Sequence, residues 1–368
     1  MEYTKQDKII LWLYLCLGSG FNKLMGLMDY YGDLNGVWDN FDKNDDNLAF
    51  LSAKTKSALA KTRNMEYVNN CIEKWKNPKL TTVFDNSYPR LLKETANPPL
   101  LLFYDGDLSG LNRCIGVVGS RSCTKYGLDC AKEISYDLAA EGVCIVSGGA
   151  RGIDTKAHEG ALEAGGKTVC VFGCGLNIAY PPENERLFYN IIEKGGAIIT
   201  EFKYGDEPKP WNFPLRNRII SGMSSGVAVI EASEKSGALI TAEEAANENR
   251  EVFCVPGNIN SAASKGTNAL IKDGATLLDS YEDIMFACGW SVAEKAKKTE
   301  ETKKTIDILK NLNDTERVVA DIIVKNGSIS ADALCDKLNM SIAELNSILT
   351  MMEINGVIKR LPGNLLAI

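Results

Sequence analysis

Histidine is all but missing from this chain: among 368 residues only His158 is present. A histidine-rich zinc site is therefore excluded. The 11 cysteines offer no substitute, because no two stand in a C-x-x-C spacing. An odd, scattered set of thiols suits a reducing cytosol, where most act as small buried apolar residues. A surplus of positive charge is missing too. With 41 Lys and Arg against 48 Asp and Glu, the formal charge is -7. That argues against a histone-like coat on nucleic acid and leaves room only for a focused basic groove. No stretch approaches the ~18 apolar residues that a membrane span requires. The apolar run at residues 9–17 follows Lys5 and Lys8, but Glu2 and Asp7 interrupt the positive flank. It reads as the first helix of a small helical domain rather than as a signal peptide. Internal repeats and low-complexity tracts are absent as well.

Two nucleotide motifs are also lacking. Gly166-Lys167-Thr168 looks like the end of a P-loop, but Ala161 stands where the first glycine is required. It also precedes a strand, whereas a P-loop follows one. The loop at Gly148 lacks G-x-G-x-x-G spacing, and the next strand runs into Phe172-Gly173-Cys174 with no acid for a ribose. An ATPase and a dinucleotide enzyme are both disfavoured.

What the chain does contain is a change of pattern. Residues 1–80 read as short helices joined by glycine-rich turns. Residues 81–290 alternate short apolar strands with amphipathic helices. Candidate strands are 100–104, 114–118, 143–147, 168–172, 197–200, 227–231, 251–255 and 275–278. Such alternation predicts an α/β fold, a mostly parallel sheet with helices on both faces. Residues 291–305 are rich in Lys, Glu and Thr and read as a linker. Residues 306–368 then hold a helix-turn-helix pattern (330–338, a turn at 339–341, 342–354). A wing at 357–368 turns on Pro362-Gly363-Asn364.

In an open parallel sheet, ligands bind beyond the carboxyl ends of the strands. Those ends carry Gly119-Ser120-Arg121, Gly148-Gly149-Ala150-Arg151-Gly152-Ile153-Asp154 and Gly173-Cys174-Gly175. Glu201, Ser236-Gly237-Ala238 with Thr241, and Pro256-Gly257 follow. Glycines let a backbone approach a ligand, and exposed amides there attract anions. The cluster Arg216-Asn217-Arg218 adds guanidinium forks, which suit phosphate. Phe213 beside it offers a face on which a base can stack, or else a hydrophobic anchor for the helix. Asp154 reads as the N-cap of a helix and His158 as support for its loop, general-base catalysis by His158 being the alternative. Glu201 and Glu231 read either as partners of the arginines or as catalytic acids.

In this order these motifs resemble the DNA processing protein A family (DprA, also called Smf), from about Tyr88-Pro89 to Ala275. Further carriers are Tyr126-Gly127, Ala157-His158, Tyr180-Pro181-Pro182, Phe213-Pro214, Ile219-Ile220, Val255-Pro256-Gly257 and Ser264-Lys265-Gly266 with Asn268. The resemblance implies an extended Rossmann-like domain that binds single-stranded DNA, homodimerises and delivers RecA recombinase onto the strand during natural transformation. It implies no catalytic turnover and no cofactor or metal. Carried over by position, the DNA pocket would involve Arg121, Gly148, Gly149, Phe213, Arg216, Asn217 and Arg218, with Ser236 and Thr241 at the next strand end. Lys209, in Pro208-Lys209-Pro210, stands near the position of a family lysine expected to touch phosphate. Residues 1–80 resemble a SAM-like or helix-hairpin-helix module, and the C-terminal region resembles a winged helix.

That winged helix lacks the charge for a major groove. From residue 311 onward, Arg317, Lys325, Lys337, Lys359 and Arg360 face seven Asp and Glu, and the second helix bears Glu344 and Glu353 without a cation. Protein interaction or regulation suits it at least as well as duplex binding. The competing functional class is a nucleotide-processing hydrolase using Glu201 or Glu231. Against it stands the absence of a Pro-Gly-Gly-x-Gly-Thr-x-x-x-Glu signature.

Overall fold

The computed structural model describes residues 3–290, 314–326, 329–338, 340–354, 357–361 and 365–367. They belong to two compact units that divide at residue 291. The expected linker at 291–305, Asn339 and the turn at 362–364 lie outside the described residues.

Five helices open the first unit: α1 (Lys5–Leu17), α2 (Phe21–Tyr31), α3 (Leu34–Asn40), α4 (Ala53–Thr62) and α5 (Met65–Lys74). The hydroxyl of Thr4 accepts from the Asp7 amide at 3.1 Å, and the Thr4 amide donates to Asp7 Oδ2 at 2.8 Å. This reciprocal cap starts α1. Ile9, Ile10, Leu11, Trp12 and Leu13 are all buried. A helix apolar on every side must be surrounded, and α3, α4 and α5 pack around this one. No helix among the described residues is long and apolar enough to cross a membrane.

A strand then appears that the sequence reading misses: β1 (Lys79–Thr82), paired antiparallel with β2 (Leu101–Gly106). Leu80 is its one apolar residue, so it carries no alternation signal. Pairing with β2 and burial of Thr81 and Thr82 make it a strand. Between them lies the short α6 (Arg90–Lys93). The core of the helical region, including Leu11, Trp12 and Val68, runs on into Leu80, Leu101 and Phe103 of these strands.

The remaining elements alternate. They are β3 (Cys114–Val118), α7 (Lys125–Ala140), β4 (Cys144–Ser147), α8 (Ile153–Glu163), β5 (Thr168–Val171), α9 (Glu185–Glu193) and β6 (Ala197–Thr200). Next come α10 (Asn212–Met223), β7 (Gly226–Val229), α11 (Ala238–Asn247), β8 (Glu251–Cys254), α12 (Lys265–Lys272), β9 (Thr276–Leu277) and α13 (Tyr281–Ala287). Nine strands form one sheet in the order β1-β2-β6-β5-β4-β3-β7-β8-β9. All neighbours are parallel except β1–β2 and β2–β6. Period-two alternation serves both faces. Val169 and Val171 join Ile219 and Met223 of α10 on one side, while Cys170 and Phe172 join Phe188 and Ile191 of α9 on the other. This is the expected extended Rossmann-like α/β sheet.

From β3 the chain winds outward through β4, β5 and β6, then crosses back to lay β7 on the other flank of β3. The carboxyl ends of β3 and β7 therefore diverge into loops that leave in opposite directions, which opens a crevice between them.

In the second unit, helices Asp314–Asn326, Ala331–Leu338 and Ile342–Ile354 enclose Val319, Leu334, Leu345 and Leu349. Strands Ile329–Ser330, Leu365–Ala367 and Lys359–Leu361 pair antiparallel in that order, giving the expected winged helix. The Ser341 hydroxyl accepts from the Glu344 amide at 3.4 Å, and the Ser341 amide donates to Glu344 Oε2 at 3.2 Å. Glu344 thus caps its own helix.

Candidate nucleic-acid interface

A cleft of about 370 Å³ opens at the switch point. Ser120, Arg121 and Ser122 wall it from the end of β3, and Ser236, Gly237 and Thr241 from the loop after β7 and the start of α11. Phe213, Arg216 and Asn217 of α10 form the roof, with Asp154 of α8 behind. Ser236 Oγ accepts from the Ala238 amide at 3.3 Å, and Asn217 Nδ2 donates to the Gly237 carbonyl at 3.4 Å. The N-terminus of α11 therefore faces the cleft from a fixed position, and its dipole favours an anion there.

Arg121 is exposed, with its guanidinium carbon 5.1 Å from the Phe213 ring centroid. The ring is half-buried and leans on Tyr180 at 5.5 Å. Gly173 lies beneath it, where an added Cβ would meet Phe213 Cδ1 at 2.9 Å. The ring is thus backed by protein and carries an exposed cation, the form of a cation–π pair.

Arg216 is different in kind. It is 3% exposed, and its Nη1 donates to the Val171 carbonyl at 2.6 Å. An added Cβ on Gly148 would stand 1.9 Å from that nitrogen, so Gly148 is there to let the guanidinium pass. Asp154 lies beside it. Its Oδ2 accepts from the amides of Gly148 at 3.1 Å and Ala150 at 3.3 Å. Burial pushes the Asp154 carboxyl up from its ordinary range, opposed first by Arg216 and then by the two amides. Asp154 is not the N-cap that the sequence suggests. Gly152 holds that place at φ +80, and Asp154, the second residue of the helix, closes the glycine loop from within. An internal carboxylate therefore occupies the Gly148 amide. Gly149 turns inward at φ +65, where an added Cβ would meet Cys170 Sγ at 2.5 Å.

Arg218 does not reach the cleft. Two residues along a helix turn the side chain by roughly 200°, so Arg216 and Arg218 project from opposite faces of α10. Arg218 pairs with buried Glu201 and donates to the Asn97 carbonyl at 3.0 Å. Ser19 of the helical region donates to the same Glu201 carboxylate at 2.7 Å. Lys209 also lies outside the cleft, in the loop before α10, with Nζ 5.7 Å from the Trp211 ring centroid.

Glu231 holds a role that the sequence reading misses. Its carboxylate accepts from the Thr124 amide at 2.7 Å and from the Thr124 hydroxyl at 2.8 Å. Its carbonyl accepts from the Ser120 amide at 2.7 Å. Both ends of the Arg121 loop are thereby tied to one residue. Only a contact map could reveal this, because 107 positions separate Thr124 from Glu231.

His158 is wholly buried against Thr168, Nδ1 to Oγ1 at 2.7 Å, and that hydroxyl donates onward to the Ile145 carbonyl. The hydroxyl proton being committed, Nδ1 carries the imidazole proton and the ring is neutral. Burial, then the Arg216 charge, pushes its pKa down to about 3. Unfolded histidine titrates near 6.5, so below that pH the unfolded chain binds the extra proton and stability falls. Its contribution to unfolding free energy should drop by about 2 kcal/mol between pH 7 and pH 5. Urea titrations of wild type and His158→Asn at the two pH values check this. Equal pH slopes in the two proteins would refute it. Among the described residues no group of His, Cys, Asp and Glu is placed to hold a metal ion.

Residues 79–289 match the sequence profile of DNA recombination-mediator protein A, and residues 307–364 that of the DprA winged helix domain. The DNA processing protein DprA of Streptococcus pneumoniae is 44% identical over 205 residues, 55% of this chain and 72% of that one. Protein Smf of Escherichia coli is 44% identical over 199 residues, 54% of this chain and 53% of its own length. The X-ray structure of the S. pneumoniae protein superposes with a TM-score of 0.65 at 34% identity, covering 77% of this chain and 98% of that one. The DNA processing protein A of Helicobacter pylori, described for its single-stranded DNA binding mode, gives a TM-score of 0.51 at 29% identity. That match covers 57% of this chain and 95% of that one. With the profile filling most of the sheet and the winged helix matched in its turn, this chain belongs to the DNA recombination-mediator protein A family, DprA or Smf.

Proposed function

We propose that this chain is a non-enzymatic single-stranded DNA binder that protects incoming DNA and loads RecA recombinase during natural transformation. The observation that carries the reading is the Arg121–Phe213 pair at the mouth of the switch-point cleft. A cation over an aromatic face suits a nucleotide, the guanidinium taking phosphate and the ring taking a base. The N-terminus of α11 with Ser236 and Thr241 receives the next phosphate, and buried Arg216 offsets the Asp154 carboxylate at the back of the cleft. The H. pylori relative supports the choice of single strands over duplex, and the family's designation as a recombination mediator supports delivery to RecA. All 11 cysteines are unpaired, which suits the cytoplasm. The open sheet edge at β9, where Leu277 is exposed, offers a surface for a homodimer. The hydrolase alternative gains no support, since Glu201 and Glu231 are engaged in an ion pair and a loop clamp and neither lines the cleft.

Fluorescence anisotropy with labelled oligo-dT tests the reading. Wild type should hold the single strand well above a duplex of the same length, and equal retention of the two would overturn the assignment. Phe213→Ala should weaken the complex by roughly 5–150-fold, the loss of about 1–3 kcal/mol of stacking. Phe213→Trp should keep most of it. An unchanged Phe213→Ala would return that ring to the role of helix anchor.

A further inference from the structure

The loop between β4 and α8 carries the parts of a phosphate site. Gly149 and Gly152 stand at φ +65 and +80, and the amides of Gly148 and Ala150 converge on one point. Such a concave run of amides attracts anions. α8, 11 residues long, begins here, and its dipole adds positive potential at the same place. Behind the loop lies the Arg216 guanidinium, 3% exposed, its Nε without a hydrogen-bond partner among the described residues. Ala150, Asp154 and Arg216 all line the cleft, so the site opens into it.

The anion already in that site belongs to the protein. Asp154 Oδ2 takes both amides, and its carboxylate is buried. Asp154 and Arg216 lie close enough for each to favour the charged form of the other. The loop is also held by its carbonyls. The Thr155 hydroxyl donates to the Ala150 carbonyl at 2.7 Å, and Asn184 Nδ2 donates to the Gly149 carbonyl at 3.0 Å. These bonds hold the loop without help from Asp154, so the amides stay converged when the carboxylate is removed.

Resting on the reading of the cleft as a single-strand site, we propose that Asp154 is a built-in substitute for phosphate that determines what the cleft accepts. It fills the anion site of the glycine loop. Like charges at short range in a partly buried place repel strongly, so it turns away a phosphomonoester that approaches the loop. A free nucleoside monophosphate has one phosphate group to place, and the enclosed site for that group is taken. A strand has many phosphates, and its grip lies at Arg121 and the start of α11, on the walls of the cleft rather than behind it. The carboxylate thereby selects polymer over mononucleotide.

Thermal melting of the full chain, in inorganic phosphate and in sodium chloride of equal ionic strength, tests this. Wild type should melt alike in both salts. Asp154→Ser empties the loop, so it should be less stable than wild type in chloride. In phosphate at about 100 times its Kd that variant should gain roughly 5 °C, and the gain should saturate. Asp154→Asn keeps the size of the side chain, folds where the serine variant fails, and should show a smaller gain of the same sign. In competition against labelled oligo-dT, Asp154→Ser should need roughly 10–150-fold less dTMP than wild type for half displacement, the worth of one charge-assisted hydrogen bond. Phosphate-specific stabilisation of wild type, or two variants indifferent to phosphate, would overturn the inference. If the variants gained phosphate while wild type held no strand, the strand reading would fail and the filled site would stand.

Discussion

Replacing Arg216 by alanine is expected to lower the unfolding free energy by about 3–5 kcal/mol and to take strand binding with it. The guanidinium is buried, fixed to the Val171 carbonyl, and its charge favours the Asp154 carboxylate. Its loss leaves that carboxylate, itself 6% exposed, with two amide donors and only the weaker influence of Arg121. A buried charge stripped of its partner is among the costliest changes a protein can suffer. The same deletion removes the support under Gly148 and the second guanidinium near Phe213, at 6.0 Å. Arg216→Lys keeps the charge without the planar fork and should fall between the two. The control is Arg216→Ala combined with Asp154→Asn. Removing the orphaned carboxylate should restore part of the stability, so that the two changes are less than additive. Urea unfolding followed by circular dichroism measures all three. Arg218→Ala makes the contrast, because its partners Glu201 and Asn97 lie away from the cleft. It should leave oligo-dT affinity near wild type. A fully stable Arg216→Ala, or loss of binding in Arg218→Ala alone, would reverse this assignment of the two arginines.

That contrast marks what the sequence could and could not convey. Strands β3 to β8 are runs of apolar residues between turn signals, so their existence and the parallel sheet are local information. The same is true of glycine-rich strand ends, which must be small wherever backbone and ligand or backbone and side chain meet. Adjacency in sequence, however, made one cluster of Arg216, Asn217 and Arg218. The phase of α10 sends the first into the cleft wall, the second to the Gly237 carbonyl and the third to Glu201 and the Asn97 carbonyl. The signal was present, since roughly 200° separates i from i+2 in any helix, but it needed the helix to be placed first. Glu231, β1 and the Asp154 closure of the glycine loop depend on partners brought together by the fold. Composition and spacing hold no trace of them.

Arg121→Ala should abolish most strand binding at little cost in stability, the reverse of the pattern at Arg216. Its side chain is exposed and touches only the Phe213 ring face, so the folded state loses a contact worth about 0.5–1 kcal/mol. The loop that carries it is held elsewhere, by Glu231 at Ser120 and Thr124. Melting temperature should therefore stay near wild type. In the proposed complex the guanidinium gives a charge-assisted hydrogen bond to phosphate, worth about 1.5–3 kcal/mol, or roughly 10–150-fold in affinity. The loss of one phosphate contact has a second signature. The slope of log K against log salt for single strands scales as about 0.7 per phosphate neutralised. Arg121→Ala should flatten that slope by ~0.7, whereas Phe213→Ala should weaken binding with the slope unchanged. Anisotropy titrations of the two variants at several salt concentrations separate charge from stacking at one site. Parallel slopes for Arg121→Ala and wild type would mean that the guanidinium serves the aromatic face and not the phosphate backbone.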